Sequence, residues 1–349
     1  MAHVGGRAAD ADMSGRAADP TRALGNTVTY REAVAEGLAR ELRRDPAVVC
    51  LGEDIGAAGG VFKTTQGLFE EFGPGRIWDT PISEQAILGL AMGAAMTGMR
   101  PVAEIMFSDF FAVCWDYLAN EMPKMRYMTG GQVTVPLVVR TANGGGLGFG
   151  AQHSQATENW TLTIPGLKIA APSNPADVVG LMASAIRSED PVVFFEHKGL
   201  FASKGPAAPD GYVVPLGQAA IARSGSDITI VGLAATVPMA LAAADRLAGE
   251  GVSAEVLDLR CLVPLDMATV LASVDRTSRL LIVEENPYQG GWGGTVASIV
   301  ADEGFELLDA PVRRVAAACV PLPFADALEQ RVIPTVDSVS AAIRALLAY

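Results

Sequence analysis

Short, mostly apolar runs separated by amphipathic stretches narrow the folds open to this chain more than any other feature. Ala47–Leu51, Pro101–Met106, Val135–Thr141, Leu167–Ala171 and Val192–Glu196 are too short for ordinary helices and show little strict alternation. A strand apolar on both sides belongs in a sheet covered on both faces, which means parallel strands joined by helices. The intervening segments agree. Thr29, with Glu32 three residues on, is the predicted N-cap of a helix running to Arg44. Ser83–Thr97 and Phe110–Met125 read as helices, and Asn174-Pro175 opens another that runs to about Arg187. Arg76–Asp79 is one more short strand.

The pattern breaks where Pro206, Pro209 and Pro215 are interleaved with Gly205, Gly211 and Gly217. It then restarts: strands at Ile228–Gly232, Ala254–Asp258 and Leu280–Glu284, helices at Val237–Gly249, Leu265–Ser273, Thr295–Glu303 and Val336–Leu347. The expectation is an α/β protein of two doubly wound parallel-sheet domains, residues 27–204 and 218–349, with a linker at 205–217. Residues 1–26 lack periodicity and an apolar signal core, so a disordered tail is expected; three aspartates there weaken a transit-peptide reading.

Composition removes several function classes. A formal charge of −13 repels phosphate backbones, which argues against nucleic acid as a partner. No apolar run reaches the roughly 20 residues that a membrane span needs. The four cysteines have no metal-site spacing and sit in apolar strings such as Val48–Leu51, as reduced thiols of a cytoplasmic protein do. Three histidines make a His-built metal centre an unlikely design.

In open parallel sheets ligands bind beyond the carboxyl ends of the strands, which directs attention to Asp79–Glu84, Phe107–Phe110 and Asn143–Gln155. Glu84 is the lone acid at the mouth of an apolar helix: either a first-turn acid favoured by the helix dipole, or a buried acid with a raised pKa. His153 follows the glycine-rich loop Asn143–Gly150 and is open to a structural or a catalytic role, as is His197. The small residues Gly89, Ala91, Gly93, Ala94 and Ala95 suit close helix packing, inside the fold or between subunits.

The strings GEDIG (52–56), DTPISE (79–84), GGQVTVPLVVR (130–140), AQHSQ (151–155), PGLKI (165–169), AIRSEDPVVFFEHK (185–198) and EVLDLRCLVPLD (255–266) resemble the β subunits of the 2-oxo acid dehydrogenases, from about Thr27 to Leu347. That family includes the pyruvate, branched-chain and acetoin dehydrogenases. The resemblance implies a transketolase-like pyrimidine-binding domain followed by a transketolase C-terminal-like domain. It implies thiamine diphosphate as cofactor, shared with an α subunit that holds the diphosphate and its magnesium. The GDG…Asn pattern of that metal site is not found here, so the chain is expected to be inactive alone. Glu84 matches the glutamate that hydrogen-bonds a pyrimidine nitrogen and favours the imino tautomer, which takes the thiazolium proton. Phe110 matches the aromatic residue packed on the pyrimidine, and His153 the histidine on the substrate side. A potassium site is implied at the carbonyls of Leu137, Ala185, Ile186, Ser188 and Asp190, with Ser188 and Asp190 departing from the common side chains. The implied partners are an α subunit in an α₂β₂ heterotetramer and a lipoyl acyltransferase component.

The implied reaction is oxidative decarboxylation of a 2-oxo acid, pyruvate or branched-chain, with acyl transfer to lipoamide. Met106–Cys114 and Phe194–Lys198 look more like acetoin dehydrogenase chains, so cleavage of acetoin with the same cofactor is an alternative. A transketolase-type partner chain without lipoamide and a non-catalytic scaffold subunit are the other rivals. A nucleotide-binding dehydrogenase is weaker, because Gly144–Gly150 does not spell GxGxxG.

Overall fold

A computed structural model describes residues 26–349; the tail expected over 1–26 therefore falls, but for Asn26, outside the described residues. The first half runs β1 (Thr27–Thr29), α1 (Tyr30–Arg44), β2 (Val48–Gly52), α2 (Leu68–Phe72), β3 (Ile77–Asp79), α3 (Glu84–Met96), β4 (Arg100–Phe107), α4 (Met125–Met128), β5 (Val138–Asn143), α5 (Glu158–Leu162), β6 (Lys168–Ala170), α6 (Pro175–Ile186), β7 (Val192–His197) and β8 (Lys204–Pro206). The second runs β9 (Ala220–Arg223), β10 (Ile228–Gly232), α7 (Thr236–Ala248), β11 (Ala254–Asp258), β12 (Cys261–Val263), α8 (Met267–Thr277), β13 (Leu280–Pro287), α9 (Gly293–Glu303), β14 (Arg313–Ala317), α10 (Asp326–Glu329) and α11 (Val336–Leu347).

Local chemistry sets several of these boundaries. Thr29 and Glu32 form both halves of a capping box at the start of α1. Asn174 caps α6, whose first turn carries Pro175, where a missing N–H does no harm. The strand expected from Val135 begins only at Val138, because Pro136 has no N–H to give and Leu137 N–H turns back to Val135 O at 2.8 Å.

The larger sheet has seven strands in the order β12-β6-β7-β5-β4-β2-β3, parallel except for β12. The smaller has five, β14-β13-β10-β11-β9, parallel except for β9. The doubly wound α/β expectation thus holds, with antiparallel strands at two sheet edges. β12, from the second half, lies on the edge of the first half's sheet. One apolar cluster also runs through both halves, joining Leu51, Ile105 and Phe195 to Val231, Leu257 and Ile282.

One expectation is corrected. Phe110–Met125 is not one helix: it is a 3₁₀ turn at Ser108–Ala112, a π-helical turn at Tyr117–Glu121, and then α4. The wide turn, in which Met122 N–H reaches Tyr117 O at 3.1 Å, lets Leu118 and Met122 both enter the core while Tyr117 packs on Gly89 of α3. The proline-rich segment expected at 205–217 packs against the first half. β8 pairs with β1, Val214 N–H donates to Gly180 O at 3.1 Å, and Ser184 Oγ donates to Val214 O at 2.5 Å.

Candidate active site

The carboxyl ends of β2, β3, β4, β5 and β7 lie at one end of the larger sheet, and Glu84, Phe110, His153 and His197 follow them there, whereas the five residues named for potassium flank the opposite, amino ends of β5 and β7. Glu84 is the first residue of α3, and Ser83, at the N-cap, makes no side-chain cap. Glu84 as a whole is 7% exposed, and among the described residues no donor reaches its carboxylate within hydrogen-bond distance. A carboxylate at a helix N-terminus gains from the dipole, but this does not replace a hydrogen bond. Its charge is felt nearby: burial first, then Glu84, push Glu53 above the usual carboxylate range. Burial and Glu84 likewise push the Cys114 thiol up to about 12. Thr80 Oγ1, four residues before Glu84, is also buried without a partner.

Phe110 and His153 meet. Their ring centroids lie 5.3 Å apart, nearly edge to face, and Phe107 stands 4.9 Å from the same imidazole. Phe62 and Phe149 extend the group, 5.6 Å and 5.8 Å from Phe107. Glu84 has no hydrogen bond to this group among the described residues; only its charge reaches Cys114, whose Sγ lies 3.7 Å from Phe110 O. Sequence spacing could not have paired Phe110 with His153. The pairing comes from β4 and β5 being neighbours, so that the turn after one faces the loop after the other.

Behind this aromatic group lies a polar network that sequence reading missed. Asn143 Nδ2 donates to Glu158 Oε1 at 2.7 Å, and Asn286 Nδ2 donates to Glu158 Oε2 at 3.0 Å. His197, left open above, bonds through Nε2 to Glu285 Oε2 at 2.8 Å. Burial alone would raise Glu285, yet the His197 charge and hydrogen bond, Gly145 N–H and Lys198 hold it below the usual range. Lys198 itself is 2% exposed, with Nζ unpartnered and 5.3 Å from the Phe107 centroid. Burial brings its ammonium down to about 8 against the opposing pull of Asp109, Glu285 and Glu329. The two halves also line an open cleft of about 490 Å³, bordered by Ala151, Gln155, Trp160, Glu285 and Cys319.

This constellation fits a flat, nitrogen-bearing heteroaromatic ring. It offers the Phe110 ring with the His153 imidazole alongside and, at the head of α3, a largely buried glutamate with no donor among the described residues. The corner named for potassium fits less well. Arg100 Nη1 donates to the carbonyls of both Ile186 and Ser188 at 3.3 Å, and Ser188 Oγ donates to Asp190 O at 2.9 Å. Leu137 O accepts from Val192 N–H at 2.9 Å, and Ala185 O from Ser188 N–H at 3.2 Å. With a guanidinium between two of the five carbonyls and Lys168 3.2 Å from Asp190, the corner carries its own positive charge.

The family described as transketolase, pyrimidine binding domain, matches residues 26–204, and transketolase, C-terminal domain, matches residues 217–339. The β subunit of the Bacillus subtilis acetoin:2,6-dichlorophenolindophenol oxidoreductase is 43% identical over 90% of this chain and 96% of its own. The mitochondrial pyruvate dehydrogenase E1 component subunit beta-2 of Oryza sativa subsp. japonica is 43% identical over 93% of this chain and 88% of its own. The 2-oxoisovalerate dehydrogenase subunit beta of Bacillus subtilis is 41% identical over 93% of this chain and 100% of its own. Among solved structures, a split-gene transketolase described as an inactive β₄ tetramer superposes with a TM-score of 0.74 at 24% identity, over 92% of this chain and 98% of that one, which speaks for the fold alone.

Proposed function

From a chain that belongs to the β-subunit family of the pyruvate, branched-chain 2-oxo acid and acetoin dehydrogenases, we propose a thiamine-diphosphate enzyme subunit that holds the cofactor's pyrimidine. The reaction is oxidative decarboxylation of a 2-oxo acid, with the acyl group passed to a lipoyl arm. When bound, the cofactor supplies the carbanion and the electron sink. The chain's residues supply placement and protons. Glu84 holds a proton against a pyrimidine ring nitrogen, Phe110 packs on the ring, and His153 donates a proton on the substrate side. The observation that carries this reading is Glu84 itself: buried, at the first turn of α3, and lacking a donor among the described residues.

Several finer points belong to the same proposal. An α subunit brings the diphosphate and magnesium, in an α₂β₂ heterotetramer that docks on a lipoyl acyltransferase. The outer face of α3, where Leu90 is half exposed and Gly93 has open space above it, suits a subunit contact. Chain limits at 27–204 and 218–349, joined by 205–217, divide these tasks. A cytoplasmic location accords with the buried, unpaired thiols of Cys50, Cys114 and Cys261. Among the described residues no helix is long and apolar enough to cross a membrane. Potassium at the Leu137–Asp190 corner has no step in this mechanism, since Arg100 already serves two of the carbonyls.

Identity to acetoin and pyruvate chains is equal at 43%, so substrate is a matter for assay. The chain is co-expressed with an α-type partner and turnover is measured with pyruvate, branched 2-oxo acids and acetoin. We expect activity that requires both chains, thiamine diphosphate and lipoamide. Turnover without lipoamide would favour a transketolase-type partner chain, and none with any substrate a scaffold.

A further inference from the structure

The loop that leads into His153 is held by the other half of the molecule. Gly144, Gly146, Gly148 and Gly150 all have positive φ, between +68° and +87°. Alternating left-handed residues turn successive N–H groups to one side, and such a concavity binds an anion. Here the anion is a side chain. Glu329, on α10, accepts from Gly146 N–H at 2.9 Å through Oε1 and from Gly148 N–H at 3.0 Å through Oε2. Glu285, at the end of β13, accepts from Gly145 N–H at 2.5 Å through its other oxygen while bonding His197. The loop then closes on itself, with Gly144 N–H to Gln155 O at 3.1 Å and His153 N–H to Gly150 O at 3.4 Å.

Glu329 is 2% exposed, and burying a carboxylate is costly unless its lone pairs are met. Joining the two halves does not require it, since a shared apolar cluster already does so. What two N–H groups on one carboxylate add is a fixed path for the loop. Five of the seven residues between Asn143 and Ala151 are glycine, the others being Leu147 and Phe149, so the loop has little stiffness of its own. Lys198, buried and unpartnered, lies near enough to feel both carboxylates and balances their charge.

We propose that Glu329, together with Glu285, is a positioning residue: it latches the Gly144–Gly150 loop so that His153 stays against Phe107 and Phe110. The proposal rests on His153 being a site residue, and its test separates the two ideas.

Amide hydrogen exchange is followed in the full chain for wild type and for Glu329→Gln. The amide keeps the side chain's shape but can accept only one of the two N–H groups well. Exchange across 144–155 should rise by roughly tenfold or more while the sheet strands keep their protection. In the assembled enzyme, kcat should fall by about tenfold or more. In a His153→Ala background the same substitution should cost little further, because both act through one group. If Glu329→Gln does not fold, Glu329→Asp, which keeps the charge on a shorter arm, should give the same loop-specific loosening. Unchanged loop exchange, or a loss of protection spread evenly over the chain, would overturn the latch. Full activity of His153→Ala alongside a loosened loop would instead remove the assigned role of His153 and leave the latch standing.

Discussion

Gly144 leaves no room for a methyl group: a Cβ there would come 2.1 Å from His197 Nε2, at a φ of +82°. The tight fit explains why this loop is glycine-rich, and it places His197 and Glu285 directly behind the His153 loop. At this scale the sequence told half the story. Glu84 and His153 stood out as polar residues in apolar or glycine-rich settings, whereas Glu285, Glu329 and Lys198 carried no local sign. Glu329 meets Gly146 across 183 residues, and only the fold brings them together. Lys198 has a consequence for stability. Its ammonium is lowered to about 8 by burial, from an ordinary 10.5. Between those values the unfolded chain holds a proton that the folded chain has released, so this group makes stability rise with pH through that window. In Lys198→Met, urea unfolding measured from pH 8 upward should lose this part of the rise. An unaltered pH slope would mean that another group produces it.

Arg140 shows what an element can hide. It sits at the middle of β5, 2% exposed, between Glu104 of β4 at 2.8 Å and Glu196 of β7, which it grips with two nitrogens at 2.6 Å and 2.9 Å. Burial raises the Glu196 carboxyl even so, against the pull of Arg140. Removing the cation strands two carboxylates inside the sheet. Arg140→Met should therefore destabilise the chain by ~3–5 kcal/mol in denaturant unfolding, and a loss within the range of surface substitutions would contradict the triad. Elements with strong end signals were legible: α1 with its capping box and α11 with Thr335 as cap match their expected limits. Of the strands at the sheet edges β3 was expected, but β9, β12 and β14 were not. β14, Arg313–Ala317, carries two arginines and is only partly buried, so it lacks the continuous apolar signature of a central strand. The π-helical turn was invisible because its residues keep a helical apolar spacing.

On the scale of the whole molecule, a parallel sheet, a restart after the proline-rich stretch and a second parallel sheet were legible from apolar runs. Their interlocking was not. β12 leaves the second half to join the first sheet, and the two halves share one cluster, so the second half's carboxylates can reach the first half's Gly144–Gly150 loop. What the described chain does not supply is a partner for Glu84. An assembled enzyme with the cofactor bound gives the most direct test, by exchange of the thiazolium carbon's proton for deuterium. Glu84→Gln should slow that exchange by at least ~10²-fold while the cofactor still binds. An unchanged exchange rate in the Glu84→Gln enzyme would contradict the role assigned to this carboxylate.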